Sequence, residues 1–194
     1  MENLLEKYRF KFDTNSGKPV SLEEIESFES EYNLILPPEL KFYYQLYNGA
    51  YLVYRDLPNV FIKWEKNPDG LERSVYIDYL YEINNSFYPQ IHPGYYPGCP
   101  SVIDHDLLLL DSLPFAQWSK ENQKKYSWYQ DWYPEKPSEY LSIGHSEGSG
   151  ELLIGMVPKN YGQLFHWDPD IQEKYNPNYI AASISEMLER LIER

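Results

Sequence analysis

The residues best suited to chemistry lie in Gly144-His145-Ser146-Glu147-Gly148, which matches the G-x-S-x-G pattern of a nucleophile elbow. That pattern works where a strand, a sharp turn and a helix expose the serine beside an oxyanion hole. Here Gly148 and Gly150 lead into ELLIGMV, which reads as a second strand. The order of partners fails as well. Only His166 follows Ser146, and the acids between them, Glu147 and Glu151, fall within five residues of the serine. A hairpin turn needing small polar residues accounts for the same stretch. The glycines make no phosphate loop, because no Gly-Lys-Ser or Gly-Lys-Thr follows them.

Metal ligation is equally thin. His92, His105, His145 and His166 are scattered, with no pair at short helical spacing. Asp104-His105-Asp106 and Asp168-Pro169-Asp170 have neither the register of a calcium loop nor the paired spacing of a zinc site. They read as solvated loop acids, and His166 as a hydrogen-bonded structural histidine. Carboxylate pairs are plentiful only because the chain is acidic; general acid–base work needs a perturbed pair in a cleft. The sequence therefore assigns no catalytic residue, no cofactor and no metal.

Composition narrows the classes further. The 194 residues fit one domain, 1–194, with room for a substantial core. A hydrophobic content of 42% excludes a disordered chain. Twenty tyrosines, eight phenylalanines and five tryptophans supply large apolar area with polar tips, suited to a core or to an interface. The net charge of −13 argues against a nucleic acid ligand and for a basic partner. Cys99 is the only cysteine, so no intrachain disulfide ties the fold to an oxidising compartment. The start, MENLLEKYRFKFD, has no apolar signal region, and the purest apolar run, Leu107 to Leu110, is too short to span a bilayer. The expectation is a cytoplasmic protein with no membrane contact, a monomer or weak dimer.

The elements follow from spacing. Ser21 with Glu24 forms a capping box. Leu22, Ile25, Phe28 and Tyr32 then fall on one helical face. Pro37-Pro38 ends that helix and opens another, with Leu40, Tyr43, Tyr44 and Tyr47 in a stripe widened by Phe42 and Leu46. Gly49 stands where a helix terminus favours a left-handed residue. Strands are expected at 50–54, 60–64, 74–83 (following the turn Asn67-Pro68-Asp69-Gly70, with a helix past Asp78 as the alternative) and 101–111. The stretch 84–100 reads as an ordered loop. The segment 113–137 reads as an insert carrying Trp128, Tyr129, Trp132 and Tyr133. EYLSIG, ELLIGMV and GQLFHW read as three further strands. Ile180, Ile184, Leu188 and Leu191 form the apolar stripe of a terminal amphipathic helix.

The succession Leu36-Pro37, an aromatic helix, Asn48-Gly49, short strands from Ile143-Gly144 through Gly155 and from Gly162 to Asp168, then Ala181-Ala182-Ser183, resembles the SUKH superfamily across nearly the whole chain. That superfamily comprises bacterial toxin-immunity proteins and fungal cell-wall-synthesis regulators. The resemblance implies an α+β fold: a twisted, mostly antiparallel sheet flanked by an N-terminal helix pair and a C-terminal helix. It implies binding without catalysis. The expected role is an immunity protein that neutralises a cognate toxin, a nuclease with a basic surface being the best fit to the charge. A regulatory scaffold tied to cell-wall synthesis or signalling is the alternative, and a serine hydrolase using Ser146 the remote one. Candidate partner-binding residues are Trp128, Tyr129, Asp131, Trp132 and Tyr133, with Glu147 and Glu151 as a second patch. The competing reading is that these aromatics simply pack onto the sheet.

Overall fold

The computed structural model describes residues 19–48, 50–51, 60–63, 74–80, 83, 108–109, 139–146, 150–167 and 177–193. The expected turn at 67–70, the loop at 84–100 and the insert at 113–137 lie outside them, as do residues 52–54, 64, 81–82, 101–107 and 110–111 of the expected strands.

Helix α1 (Leu22–Tyr32) begins at Ser21, whose hydroxyl accepts from the Glu24 amide at 3.2 Å while the Glu24 carboxylate accepts from the Ser21 amide at 2.7 Å. Two amides that the helix itself cannot satisfy are thereby paired. Val20, one residue before the cap, and Ile25, in the next turn, are both buried in the main core, an arrangement that fixes the angle of entry. Ile25 and Phe28 face inward as the spacing requires. Leu22 does not: it is 50% exposed, because Val20 fills the inward position beside the first turn.

Asn33 ends α1 in the left-handed conformation (φ 49°), its amide donating to the carbonyls of Glu29 and Ser30. A short polar side chain tolerates that conformation. The sequence reading assigns the left-handed role to Gly49, after α2 (Pro38–Leu46). Gly49 lies outside the described residues, and α2 closes on Tyr47 in extended conformation (φ −148°). Leu40, Tyr43 and Tyr44 are buried as expected, whereas Phe42 turns outward. Asn48 then serves as a clamp. Its Nδ2 donates to the Ile83 carbonyl at 2.8 Å, and its Oδ1 accepts from the Ile83 amide at 2.7 Å. One buried amide thus pairs both backbone groups of a residue 35 positions away, as a neighbouring strand would.

The strands are β1 (Ala50–Tyr51), β2 (Val60–Lys63), β3 (Ser74–Leu80), β4 (Leu108–Leu109), β5 (Tyr140–Ser146), β6 (Glu151–Gly155), β7 (Leu164–Trp167), β8 (Asn178–Ala181) and β9 (Leu191–Glu193). They form one sheet in the order β8-β7-β6-β5-β3-β2-β9; β1 pairs with β3 and β4 with β5, and every described pairing is antiparallel. The architecture is α+β, with the helix pair and helix α3 (Ile184–Glu189) on one face.

Three register shifts decide which side chains reach the core. Opposite β5, Asp78 of β3 is an extra residue, so Ile77 and Leu80 are both buried although an odd number of positions separates them. A bulge inserts one residue and restores the facing of the next. Similar shifts occur at Ile143 against β6 and at Ile180 against β7. The main core combines Ile25 and Phe28 of α1, Leu40, Tyr43 and Tyr44 of α2, Ile184, Met187 and Leu188 of α3, and the helix-facing residues of β3 and β5 to β8. A smaller cluster of Leu153, Phe165 and Trp167 lies on the opposite face.

The apolar stripe at the C-terminus is not one helix. Ile180 belongs to β8 and Leu191 to β9, and only Ile184–Glu189 is helical. The Ser183 hydroxyl accepts from the Glu186 amide at 3.1 Å and starts the helix there. Pairing of Leu191–Glu193 with β2 ends it by offering the backbone ladder bonds in place of a further turn. Glu39 of α2 accepts from both the amide and the hydroxyl of Ser185, at 3.1 and 3.2 Å, and so binds α2 to α3.

Two outcomes are expected. Asn48→Ala leaves two buried backbone groups unpaired and lowers the unfolding free energy by about 2–4 kcal/mol in denaturant titration; a loss below about 1 kcal/mol would remove the clamp from the account. Hydrogen bonds from the Ser21 backbone and hydroxyl hold the Glu24 carboxyl below its ordinary value. Its contribution to stability is therefore complete above the ordinary carboxylate range and is lost as pH falls through the lowered value. In Ser21→Ala the Glu24 carboxyl titrates at higher pH than in the parent by NMR, and an unchanged titration would contradict the cap.

Candidate functional site

Of the residues singled out in the sequence, Trp128, Tyr129, Asp131, Trp132, Tyr133 and Glu147 lie outside the described residues. Glu151 opens β6, half-buried, and accepts from the buried Ser142 hydroxyl at 2.5 Å. Ser146 is the last residue of β5, paired with Ile77, and the next described element is β6, antiparallel to β5. A nucleophile elbow leads from its strand into a helix, and the next described element here is a strand. His166 is buried in β7 opposite Leu152. Among the described residues no group of three His, Cys, Asp or Glu could hold a metal ion, and no helix is long and apolar enough to cross a membrane.

A crevice among Leu40, Tyr43, Tyr44, Leu80, Ile143, Ile184 and Met187 has a volume of about 10 Å³. Ligand pockets run to roughly 300–1,000 Å³, so this is a packing defect that one water-sized sphere would fill.

What the fold does build is a surface. Five residues, 33–37, join α1 to α2. Leu36 and Pro37 are buried, whereas Ile35 between them and Leu34 is 70% exposed. The link is held from several sides. The Leu34 amide donates to the Glu29 carbonyl at 3.0 Å. The Leu36 amide donates to Glu29 Oε1 at 2.6 Å, and Lys41 Nζ lies 2.8 Å from Glu29 Oε2. This pair is partly buried, so the carboxylate that orients the link is itself neutralised.

The third support comes from the other half of the chain. The Tyr161 hydroxyl, in the loop joining β6 to β7, donates to the Ile35 carbonyl at 3.1 Å. That loop is stiff. The Asn160 amide donates to the Val157 carbonyl at 3.0 Å, Asn160 Oδ1 accepts from the Val157 amide at 3.1 Å, and the Gln163 and Gly162 amides donate to the carbonyls of Asn160 and Gly155 at 2.9 and 3.0 Å. Gly155 has to be glycine, because a Cβ there would sit 2.1 Å from the Asn160 carbonyl oxygen. Gly162 takes φ +79° and brings the loop against Pro37. Tyr161 remains 40% exposed beside Ile35. Partial burial raises the pKa of its hydroxyl, an effect opposed by Lys41 and reinforced by Glu29.

Across the sheet, Tyr140 packs edge-on to Phe165 with ring centroids 5.2 Å apart, and Phe165 edge-on to Tyr179 at 6.0 Å. Tyr179 is the exposed end of this row. Burial, followed by the charge of Glu139, raises the Tyr140 hydroxyl above its ordinary value, against Lys159 and a hydrogen bond with Asn160.

The sequence reading missed both Ile35 and Tyr161. Within Leu34-Ile35-Leu36 all three residues look like core, and only the supports show that the middle one points out.

A sheet with helices on one face and a rigid, exposed apolar point at the helix link has the form of a binding module. The chain belongs to the SMI1/KNR4 family (SUKH-1), whose family model matches residues 19–190. Membership supports an immunity or cell-wall-regulator-like module, and members are generally binding modules without enzymatic activity. A search of the curated proteins finds no match.

Tyr161→Phe tests the support of the link. It is expected to cost about 0.5–1.5 kcal/mol in denaturant titration. Because burial disfavours the charged phenolate, the stability that goes with the neutral hydroxyl is complete below the ordinary tyrosine range and is lost as pH rises through the raised value. The parent should therefore show an alkaline loss of stability that is smaller in the Phe variant; identical alkaline profiles would count against the half-buried placement of the hydroxyl.

Proposed function

We propose that the protein is a cytoplasmic immunity protein that binds a cognate toxin and blocks it, with a nuclease toxin as the best chemical fit. Membership of the SMI1/KNR4 family carries the reading. The net charge of −13 supports its finer part, because a nuclease holds phosphates on a basic surface, and an acidic partner finds such a surface quickly. Aromatic anchors in desolvated pockets would supply most of the affinity, with carboxylates around them supplying rate and specificity. Trp128, Tyr129, Asp131, Trp132 and Tyr133 are proposed as such anchors, with Glu147 and Glu151 beside them. Because Glu151 already accepts from Ser142, it offers less free acceptor capacity than an exposed carboxylate.

The test is to search the neighbouring genes for a secreted toxin and to co-express its C-terminal domain with this protein. Rescue of cell growth, together with a one-to-one complex that weakens in high salt, is the expected outcome. Absence of both rescue and complex would end the immunity reading and favour a regulatory scaffold.

A further inference from the structure

The α1–α2 link has a feature that family membership does not explain. An isoleucine 70% exposed is held in place by three separate parts of the fold: the left-handed Asn33 before it, the Glu29–Lys41 pair beneath it, and Tyr161 beside it. Core packing does not require Ile35, since Leu36 and Pro37 already fill the inward positions. We propose that Ile35 and Tyr161 form a preformed docking ridge for a basic protein partner, with Ile35 entering an apolar pocket on it. The proposal rests on the binding role above and adds a second candidate surface to it.

Preorganisation is the first argument. A side chain carried on a backbone already fixed by hydrogen bonds loses little further entropy on binding, so more of its buried area appears as affinity. Charge is the second. The exposed side of α1, which leads into the ridge, carries Glu23, Glu24 and Glu26, and α1 contains no lysine or arginine. Among the described residues, Lys41 is bound to Glu29, and Lys159, two positions before Tyr161, to Glu139. A partner presenting cations around an apolar pocket is therefore complementary. A second copy of this chain is not, since two surfaces of one sign would meet on molecules of net charge −13.

The experiment uses the full chain and the purified toxin domain from the co-expression test. Binding is measured over a range of salt for the parent, Ile35→Asp, Ile35→Ala, the double variant Glu23→Gln/Glu26→Gln, and Tyr179→Ala on the opposite face of the sheet. Ile35→Asp is expected to weaken binding about tenfold or more, chiefly through faster dissociation, with an unchanged melting temperature. Ile35→Ala guards against a folding defect and should shift binding in the same direction by less. The glutamine pair should slow association and flatten the salt dependence, and Tyr179→Ala should bind as the parent does. Parent-like binding by Ile35→Asp would overturn the ridge and leave the immunity reading standing. A parent that binds no toxin domain would remove both. A parent dimer that Ile35→Asp converts to monomer would show the ridge to be a self-contact, overturning the basic partner.

Discussion

Nine residues, Ala182 to Arg190, connect β8 at one end of the strand order to β9 at the other, and this short tether constrains everything else in the fold. Six inter-strand steps in a flat sheet would span about 29 Å. The connection, six of whose residues are helical, reaches about 25 Å at most. The sheet therefore has to curve enough to bring that span within reach, with α3 lying across the inner face. Bulged strands bend, and the register shifts at Asp78, Ile143 and Ile180 are the described places where these strands can do so. The helix pair then packs into the hollow: Tyr43 and Tyr44 supply the volume, Glu39 bonds to α3, and Asn48 fastens the end of α2 to the backbone just beyond β3.

From that arrangement the exposed link follows. With α1 and α2 both pressed into the hollow, only five residues remain to turn the chain between them, and Leu36 and Pro37 are drawn inward. Ile35 is left on the outside. The β6–β7 loop reaches it because β6 and β7 run beneath the helices, and the absence of a Cβ at Gly155 lets that loop fold tightly enough to place Tyr161.

Local features of the structure were legible in the residues. The capping box at Ser21 and Glu24, the proline start of α2, the buried faces of both helices and the strands from Tyr140 to Trp167 each depend on neighbours within a few positions. The features that escaped depend on distant partners. Ile180 and Leu191 fit a helical period, yet a strand on each side of Ser183 and Arg190 claims them. Ile77 and Leu80 violate alternation until the bulge at Asp78 is known. Asn48 looks like a helix terminus, and its partner lies 35 residues on. For the candidate surface the gap is wider: 126 positions separate Tyr161 from Ile35, and no spacing rule connects them. Pro37, read in the sequence as a helix break and a marker of resemblance, is also part of the footing of that surface.

The amide of Asn48 has one further consequence, for chemical ageing. An asparagine followed by glycine is the sequence most prone to lose its side-chain nitrogen, because the next backbone nitrogen can attack the amide carbon with little hindrance. In the folded protein that amide is buried and fixed at both ends on Ile83. Loss of the nitrogen would set a carboxylate oxygen against the Ile83 carbonyl, replacing a hydrogen bond with repulsion between two acceptors. The intact fold shields this amide, whereas each excursion to the unfolded chain exposes it. A molecule altered there would refold with one fastening turned against it, so the working lifetime of the protein is tied to how seldom it opens.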